Sequence, residues 1–230
     1  MLSSFEAKYG CPSSLSARKG KQLAVSAIIP IVYVFTSNPI LNCKHFNTHD
    51  HYIRFSVEQA LRTNRGPQHP VILASNFKDC NHSLATIRQH WHKDIVTVDY
   101  TEFMSASTKE FVTYTDQLFM QSYMPELWAA AALRFFVLAD MMSHYKYEAV
   151  LHVEGDNTLY GETKDLIQTL WQHYPGMAAT PLTKTLDFVT ASVLWIGNQR
   201  SIVAFNEFLL RLGKCVSHHC YCCTPSSYQH

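Results

Sequence analysis

Hydrophobic residues fall along this chain in short blocks whose spacing alternates between two and three-to-four. Ile28 to Phe35 is β-branched and aromatic, and it ends in the turn signature Thr36-Ser37-Asn38-Pro39, so it predicts a buried central strand. From Asp50 to Asn64 the apolar residues Ile53, Val57, Ala60 and Leu61 share one helical face, closed by Asn64-Arg65-Gly66-Pro67. Val71 to Ala74 predicts a second strand, Leu84 to Trp91 a helix and Ile95 to Val98 a third strand. Thr101 to Tyr123 has no decisive period. After Pro125 the run from Glu126 to Met142 is apolar around most of its circumference, the mark of a buried helix. Tyr147 to Val153 reads as a fourth strand, Leu166 to His173 as a helix, and Met177 to Thr180 and Phe188 to Ile196 as two further strands. A last helix runs from about Arg200 to Leu212. Strands alternating with helices predict an α/β fold: an open, mostly parallel sheet with helices on both faces.

Composition narrows the function classes. Lysine and arginine number 19 against 18 acidic residues, a net charge of +1, so no electrostatic footprint for nucleic acid is present. Apolar residues make up 47%, enough to build a core and to exclude a disordered chain. With 8 glycines and no G-x-G-x-x-G or G-x-x-x-x-G-K, a glycine-rich phosphate cradle is excluded as well. The longest early apolar stretch, Leu23 to Phe35, is broken by Ser26 and Pro30 and falls short of the about 20 residues a membrane span needs. Arg18, Lys19 and Lys21 precede it, but no small-residue cleavage site follows. Three units are expected: a loose polar leader over 1–22, one α/β domain over 23–213, and a Cys/His-rich tail over 214–230.

The chemistry concentrates where the fourth strand ends, in Glu154-Gly155-Asp156-Asn157. Side chains two apart on an extended chain share a side, so Glu154 and Asp156 can converge. Such an oxygen pair suits a hard divalent ion, Mg²⁺ or Mn²⁺. In open α/β sheets ligands bind at the carboxyl ends of strands, where this pair falls. The same four residues also suit a plain turn, because Asp and Asn bond to their own backbone. Arg134 stands alone in an apolar helix, where a guanidinium is costly unless paired. Asp140 lies roughly 240° round the helix from it, out of pairing range. Arg134 therefore needs a carboxylate from across the core or a bound anion, unless its head reaches water along its apolar stem.

Arg134-Phe135-Phe136-Val137-Leu138 followed by Val150-Leu151-His152-Val153-Glu154-Gly155-Asp156-Asn157 resembles the core of glycosyltransferases with the GT-A fold, which place an Arg-bearing helix before a strand ending in Asp-x-Asp. The early strand, helix and Val71-Ile72-Leu73 resemble the nucleotide-binding half of that family. The resemblance covers roughly Ile28 to Leu212, with Glu154 departing from the usual first Asp. It implies a nucleotide-diphosphate sugar donor, a hydroxyl acceptor, and transfer of the sugar between them. Asp156 would bind Mn²⁺ or Mg²⁺, with Glu154 assisting directly or through water. Arg134 would contact the donor diphosphate or its nucleotide, while Phe35, Thr36 and Asn38 would lie near the base. Asn157 would touch the ribose or support the metal ligands. Asp187, before the sixth strand, is the one carboxylate nominated as an acceptor-side base.

The tail, Cys215-Val216-Ser217-His218-His219-Cys220-Tyr221-Cys222-Cys223, combines thiols and imidazoles. Cys220 and Cys223 have a zinc-knuckle gap, yet no second half matches it elsewhere. The alternative is a chain that ends early or in an altered reading frame, since relatives of the resembled family continue into a segment donating a third metal ligand. A catalytically silent or truncated relative with at most nucleotide binding therefore stands beside the enzyme. A small metal-dependent phosphohydrolase would need a further carboxylate cluster. Absence of a signal points to the cytoplasm, and the Golgi lumen applies if the N-terminus is incomplete. His152, inside a strand, is expected to be a satisfied core residue.

Overall fold

The computed structural model describes residues 27–36, 52–77, 87, 89, 91–119, 125–181 and 189–217. The elements are β1 (Ile31–Phe35), α1 (Tyr52–Thr63), β2 (Val71–Ser75), β3 (Val96–Asp99), α2 (Ala106–Phe119), α3 (Pro125–Tyr145), β4 (Val150–Val153), α4 (Lys164–His173), β5 (Met177–Pro181), β6 (Val189–Ile196) and α5 (Gln199–Ser217). A 3-10 turn over Tyr100–Glu102 joins β3 to the loop before α2. The segment left undecided from sequence, Thr101 to Tyr123, thus contains most of that turn and α2. Most of the helix expected over Leu84 to Trp91 lies outside the described residues, although the Trp91 amide donates to the Ile87 carbonyl at 2.9 Å. The leader, and the tail beyond Ser217, also lie outside them. α5 runs past the expected domain end at Gly213, and Lys214 Nζ reaches Glu110 Oε1 of α2 at 2.8 Å.

The sheet has six strands in the order β3-β2-β1-β4-β6-β5. β3, β2, β1 and β4 pair in parallel, and β6 runs antiparallel to both β4 and β5. The mostly parallel α/β expectation holds, with one reversed strand.

Period-two alternation on buried strands sends side chains to two separate cores. Ile31, Tyr33, Leu73, Leu151, Val153 and Trp195 point to the face covered by α1 and α4, where Ile53, Val57, Ile167 and Trp171 pack. Val32, Val34, Ile72, Val150, Leu194 and Ile196 point to the opposite face, covered by Val137, Leu138, Met141 and Met142 of α3 and Ile202 of α5. α2 joins that helical layer through Phe111, which stacks on Phe136 with ring centroids 4.2 Å apart. The wide apolar girth of α3 follows from this place: it touches the sheet on one side and two helices on the other.

Candidate functional site

Strand order reverses direction between β1 and β4. β1 is followed outward by β2 and β3, and the chain then returns to the other side of β1 as β4. A crevice opens at such a point because the two loops leave the sheet toward opposite faces. Here the ladder between the two strands ends early. β1 pairs with β4 only at Ile31↔Leu151 and Val32↔His152, while it stays paired with β2 through Phe35↔Ser75. β4 meanwhile follows β6 to its end at Val153↔Val193, and the Glu154 amide donates to the Ser192 carbonyl at 2.9 Å. The carboxyl ends of β1 and β4 are therefore held by different neighbours.

β4 delivers Glu154 to this crevice. The pleat that sends Val153 to the α1 side sends His152 and Glu154 to the α3 side, and Arg134 of α3 pairs there through Nη1 with Glu154 Oε1. Their side chains are only 14% and 22% exposed, so the pair is largely removed from water. The partner that Arg134 needs is thus a carboxylate from across the core. Asp140 is engaged elsewhere: its Oδ2 accepts from the Ser105 amide at 2.9 Å and from Thr108 Oγ1 at 2.6 Å.

The extended strand does not continue through Glu154 and Asp156. The Asn157 amide donates to the Glu154 carbonyl at 3.0 Å, so residues 154–157 form a turn and the period of two stops at the strand end. Glu154 turns inward to Arg134, whereas Asp156 stands exposed and accepts from Asn157 Nδ2 at 2.8 Å. Among the described residues no group of three or more His, Cys, Asp or Glu side chains could hold a metal ion.

α1 braces this turn. A Cβ on Gly155 would sit 3.2 Å from Ile53 Cδ1 and 3.4 Å from Tyr52 Cε2, so the absent side chain lets the turn lie on the start of the helix. Farther along, Asn64 Oδ1 accepts from both the amide and the hydroxyl of Thr163 at 2.7 Å, and Ser56 Oγ lies 3.3 Å from Thr158 Oγ1. Tyr52 was not singled out from sequence. Partial burial raises its phenol pKa, the Asp156 charge raises it further, and Arg134 opposes them. A signal did exist: the first turn of a helix following a parallel strand returns to that strand's carboxyl end.

His152 is fully buried, and its Nδ1 lies 2.9 Å from the Val32 carbonyl. Nε2 has no partner among the described residues, so there the expectation of a satisfied core histidine is met at only one nitrogen. Burial, and then the nearby Arg134 charge, push its pKa down to about 3, which keeps the ring neutral. With Nδ1–H donating to Val32, Nε2 carries a lone pair rather than a proton.

Phe35 and Thr36 are half-buried at the carboxyl end of β1, beside the crevice. Asn38 and Asp187, as well as the zinc-knuckle cysteines Cys220 and Cys223, lie outside the described residues. No helix among the described residues is long and apolar enough to cross a membrane.

No family model matches this chain, and no curated protein does. Among solved structures it is similar to mouse xyloside xylosyltransferase 1 in its apo form, with TM-score 0.49 and 11% identity over 80% of this chain and 72% of that one. It is also similar to the mannosyltransferase Ktr4p from S. cerevisiae, with TM-score 0.36 and 13% identity over 66% of this chain and 39% of that one. The chain thus spans well under half the length of the second protein. Likenesses of this size carry no argument about function, which rests on the switch-point crevice and the three charged side chains around it.

Proposed function

We propose that this protein is a GT-A-type glycosyltransferase that binds a nucleotide-diphosphate sugar in the crevice between β1 and β4 and transfers the sugar to an acceptor hydroxyl. The carrying observation is the gathering of Arg134, Glu154 and Asp156 at the carboxyl ends of the strands that flank the topological switch point. A diphosphate is a bidentate anion, and a guanidinium fork matches it.

Arg134 spends Nη1 on Glu154, which fixes the head of the side chain at the crevice. Its remaining N–H groups are the donors offered to the diphosphate. Phe35 and Thr36 would flank the base from the end of β1. Asn157 holds Asp156 Oδ1 through its amide and so orients that carboxylate. Mg²⁺ and Mn²⁺ need few protein ligands, because water and substrate phosphate fill most of the shell. The exposed Asp156 fits such an ion, and Glu154, tied to Arg134, fits better as a ligand through water than as a direct one. When bound, the ion would neutralise charge growing on the departing diphosphate.

A second reading, nucleotide binding without transfer, is favoured by one observation: Glu154 is neutralised by Arg134, and no third acidic, His or Cys side chain joins Asp156 among the described residues.

The test is a thermal-shift panel of UDP, GDP, CMP and their sugars, with and without Mn²⁺. A ligand at 100 times its dissociation constant stabilises by about 2.7 kcal/mol, roughly 5 to 10 °C for a domain of this size. A metal-dependent shift with one diphosphate, lost in Asp156→Ala, supports the donor site. Release of free sugar or a glycosylated product from that donor separates the enzyme from the silent reading. Absence of any shift on folded protein defeats both.

A further inference from the structure

Arg134 and Glu154 are each other's only ion-pair partner among the described residues. Both belong to the crevice, yet in the free protein each occupies the other. Glu154 Oε1 sits on Nη1 of Arg134, so the end-on fork of the guanidinium is closed to a bidentate anion. The carboxylate charge also cancels the attraction of Arg134 for a second anion. Because the pair is largely removed from water, neither effect is screened away as it would be on an open surface.

The backbone around Glu154 is fixed while its side chain can turn. The Glu154 amide donates to the Ser192 carbonyl at 2.9 Å, and its carbonyl accepts from the Asn157 amide at 3.0 Å. The carboxylate hangs from a flexible stem, and Arg134 is its one hydrogen-bond partner among the described residues. Opening the pair is therefore a side-chain rotation that displaces no strand or helix. Asp156 stands nearby: the Tyr52 phenol feels the charges of both Asp156 and Arg134, so the exposed carboxylate and the guanidinium border one space.

Resting on the donor site proposed above, we propose that Glu154 is a latch on Arg134. It holds the guanidinium closed against anions in the free protein and gives way when a diphosphate arrives together with a divalent ion at Asp156. Arg134 then turns its fork to the diphosphate, and the Glu154 carboxylate exchanges one counter-charge for another. Neither ligand alone supplies both halves of that exchange, so each strengthens the binding of the other. The crevice is thereby kept from filling with metal-free anions.

The experiment is calorimetric titration of the full chain at pH 7 with UDP and with GDP, each in EDTA and in Mn²⁺. Glu154→Gln keeps an acceptor for Arg134 but removes the charge, and a charged hydrogen bond exceeds a neutral one by enough to change affinity about tenfold. Metal-free diphosphate should therefore bind Glu154→Gln about tenfold more tightly than the parent, and the improvement due to Mn²⁺ should shrink by about the same factor. Glu154→Ser withdraws the rival altogether, so it should gain at least as much, and it serves if the first variant fails to fold. The double variant Arg134→Met/Glu154→Gln should gain nothing over the parent, because the partner of the anion is gone. Suppose the parent binds a diphosphate with Mn²⁺. An unchanged or weaker metal-free affinity in both Glu154 variants would then overturn the latch and leave the donor site standing. A gain that persists in the double variant would overturn it too, since it would mark a general loss of negative charge. No heat with any variant, with or without Mn²⁺, on folded protein would overturn the donor site and the latch with it.

Discussion

Replacing Arg134 with Met separates a binding role for this residue from a structural one. The substitution keeps the length of the stem but strands the Glu154 carboxylate, only 22% exposed, without its counter-charge. Removing one partner of a buried pair costs about 3 to 5 kcal/mol, and the residual solvent contact here places the loss near the lower figure, about 3 kcal/mol. For a chain of this size that is a fall in Tm of roughly 6 to 12 °C. Glu154→Gln still offers Arg134 an oxygen, so it should cost only about 1 to 2 kcal/mol. The double variant removes both charges together and should lie within about 2 kcal/mol of the parent, because replacing a whole buried pair is often close to neutral. The cycle then yields a coupling of about 2 to 5 kcal/mol, read from urea unfolding of the four proteins at pH 7. A coupling below about 0.5 kcal/mol, with strictly additive singles, would refute the ion pair as a structural element. In that event Arg134 would be free for an anion, and its loss should appear in nucleotide binding alone.

Acid should find His152 first. Its folded pKa of about 3 lies below the unfolded value, so between those limits the unfolded chain binds the extra proton and stability falls as pH falls. At pH 5 the loss is about 2 kcal/mol relative to pH 7, and His152→Leu should flatten that slope in pH-dependent unfolding; an unchanged slope would mean that another group carries it. Gly197→Ala should destabilise by about 1 to 3 kcal/mol, because the new Cβ would stand 2.7 Å from the Tyr174 carbonyl and 2.9 Å from those of Pro175 and Gly176; a neutral outcome in thermal melts would show that the β5 entry moves aside. Lys146 closes α3 with φ 59°, a left-handed conformation that favours glycine, so Lys146→Gly should raise stability by about 0.5 to 1 kcal/mol, and a loss in Tm would contradict it. Asp156→Ala should leave the Tm within about 1 °C of the parent, since Asp156 is exposed and, among the described residues, bonds its neighbour Asn157, while abolishing any metal-dependent donor shift.

The strands and most helices were legible in the chain because each rests on a local period. β1, β2 and β4 are buried on both faces, so they read as mostly apolar runs, and the amphipathic α1 and α5 read as one-sided stripes. α2 escaped that reading. Its two ends differ in polarity, and its packing against α3 through Phe111 is a contact that no period announces. The need of Arg134 for a partner was legible as well, since an unpaired charge on an apolar helix is costly wherever that helix lies.

Which carboxylate answered that need was decided in three dimensions. Pairing Arg134 with Glu154 requires β4 to lie beneath α3 with the pleat that turns residue 154 toward the helix, and register is set by the whole sheet rather than by four residues. The turn over 154–157, with Glu154 directed to Arg134 and Asp156 exposed, was likewise decided there. Strand order, with its switch point between β1 and β4, has no local signature at all. Sequence determines where a segment buries itself through short-range sterics and solvation. The meeting of distant side chains depends on long-range packing, which only the folded chain supplies.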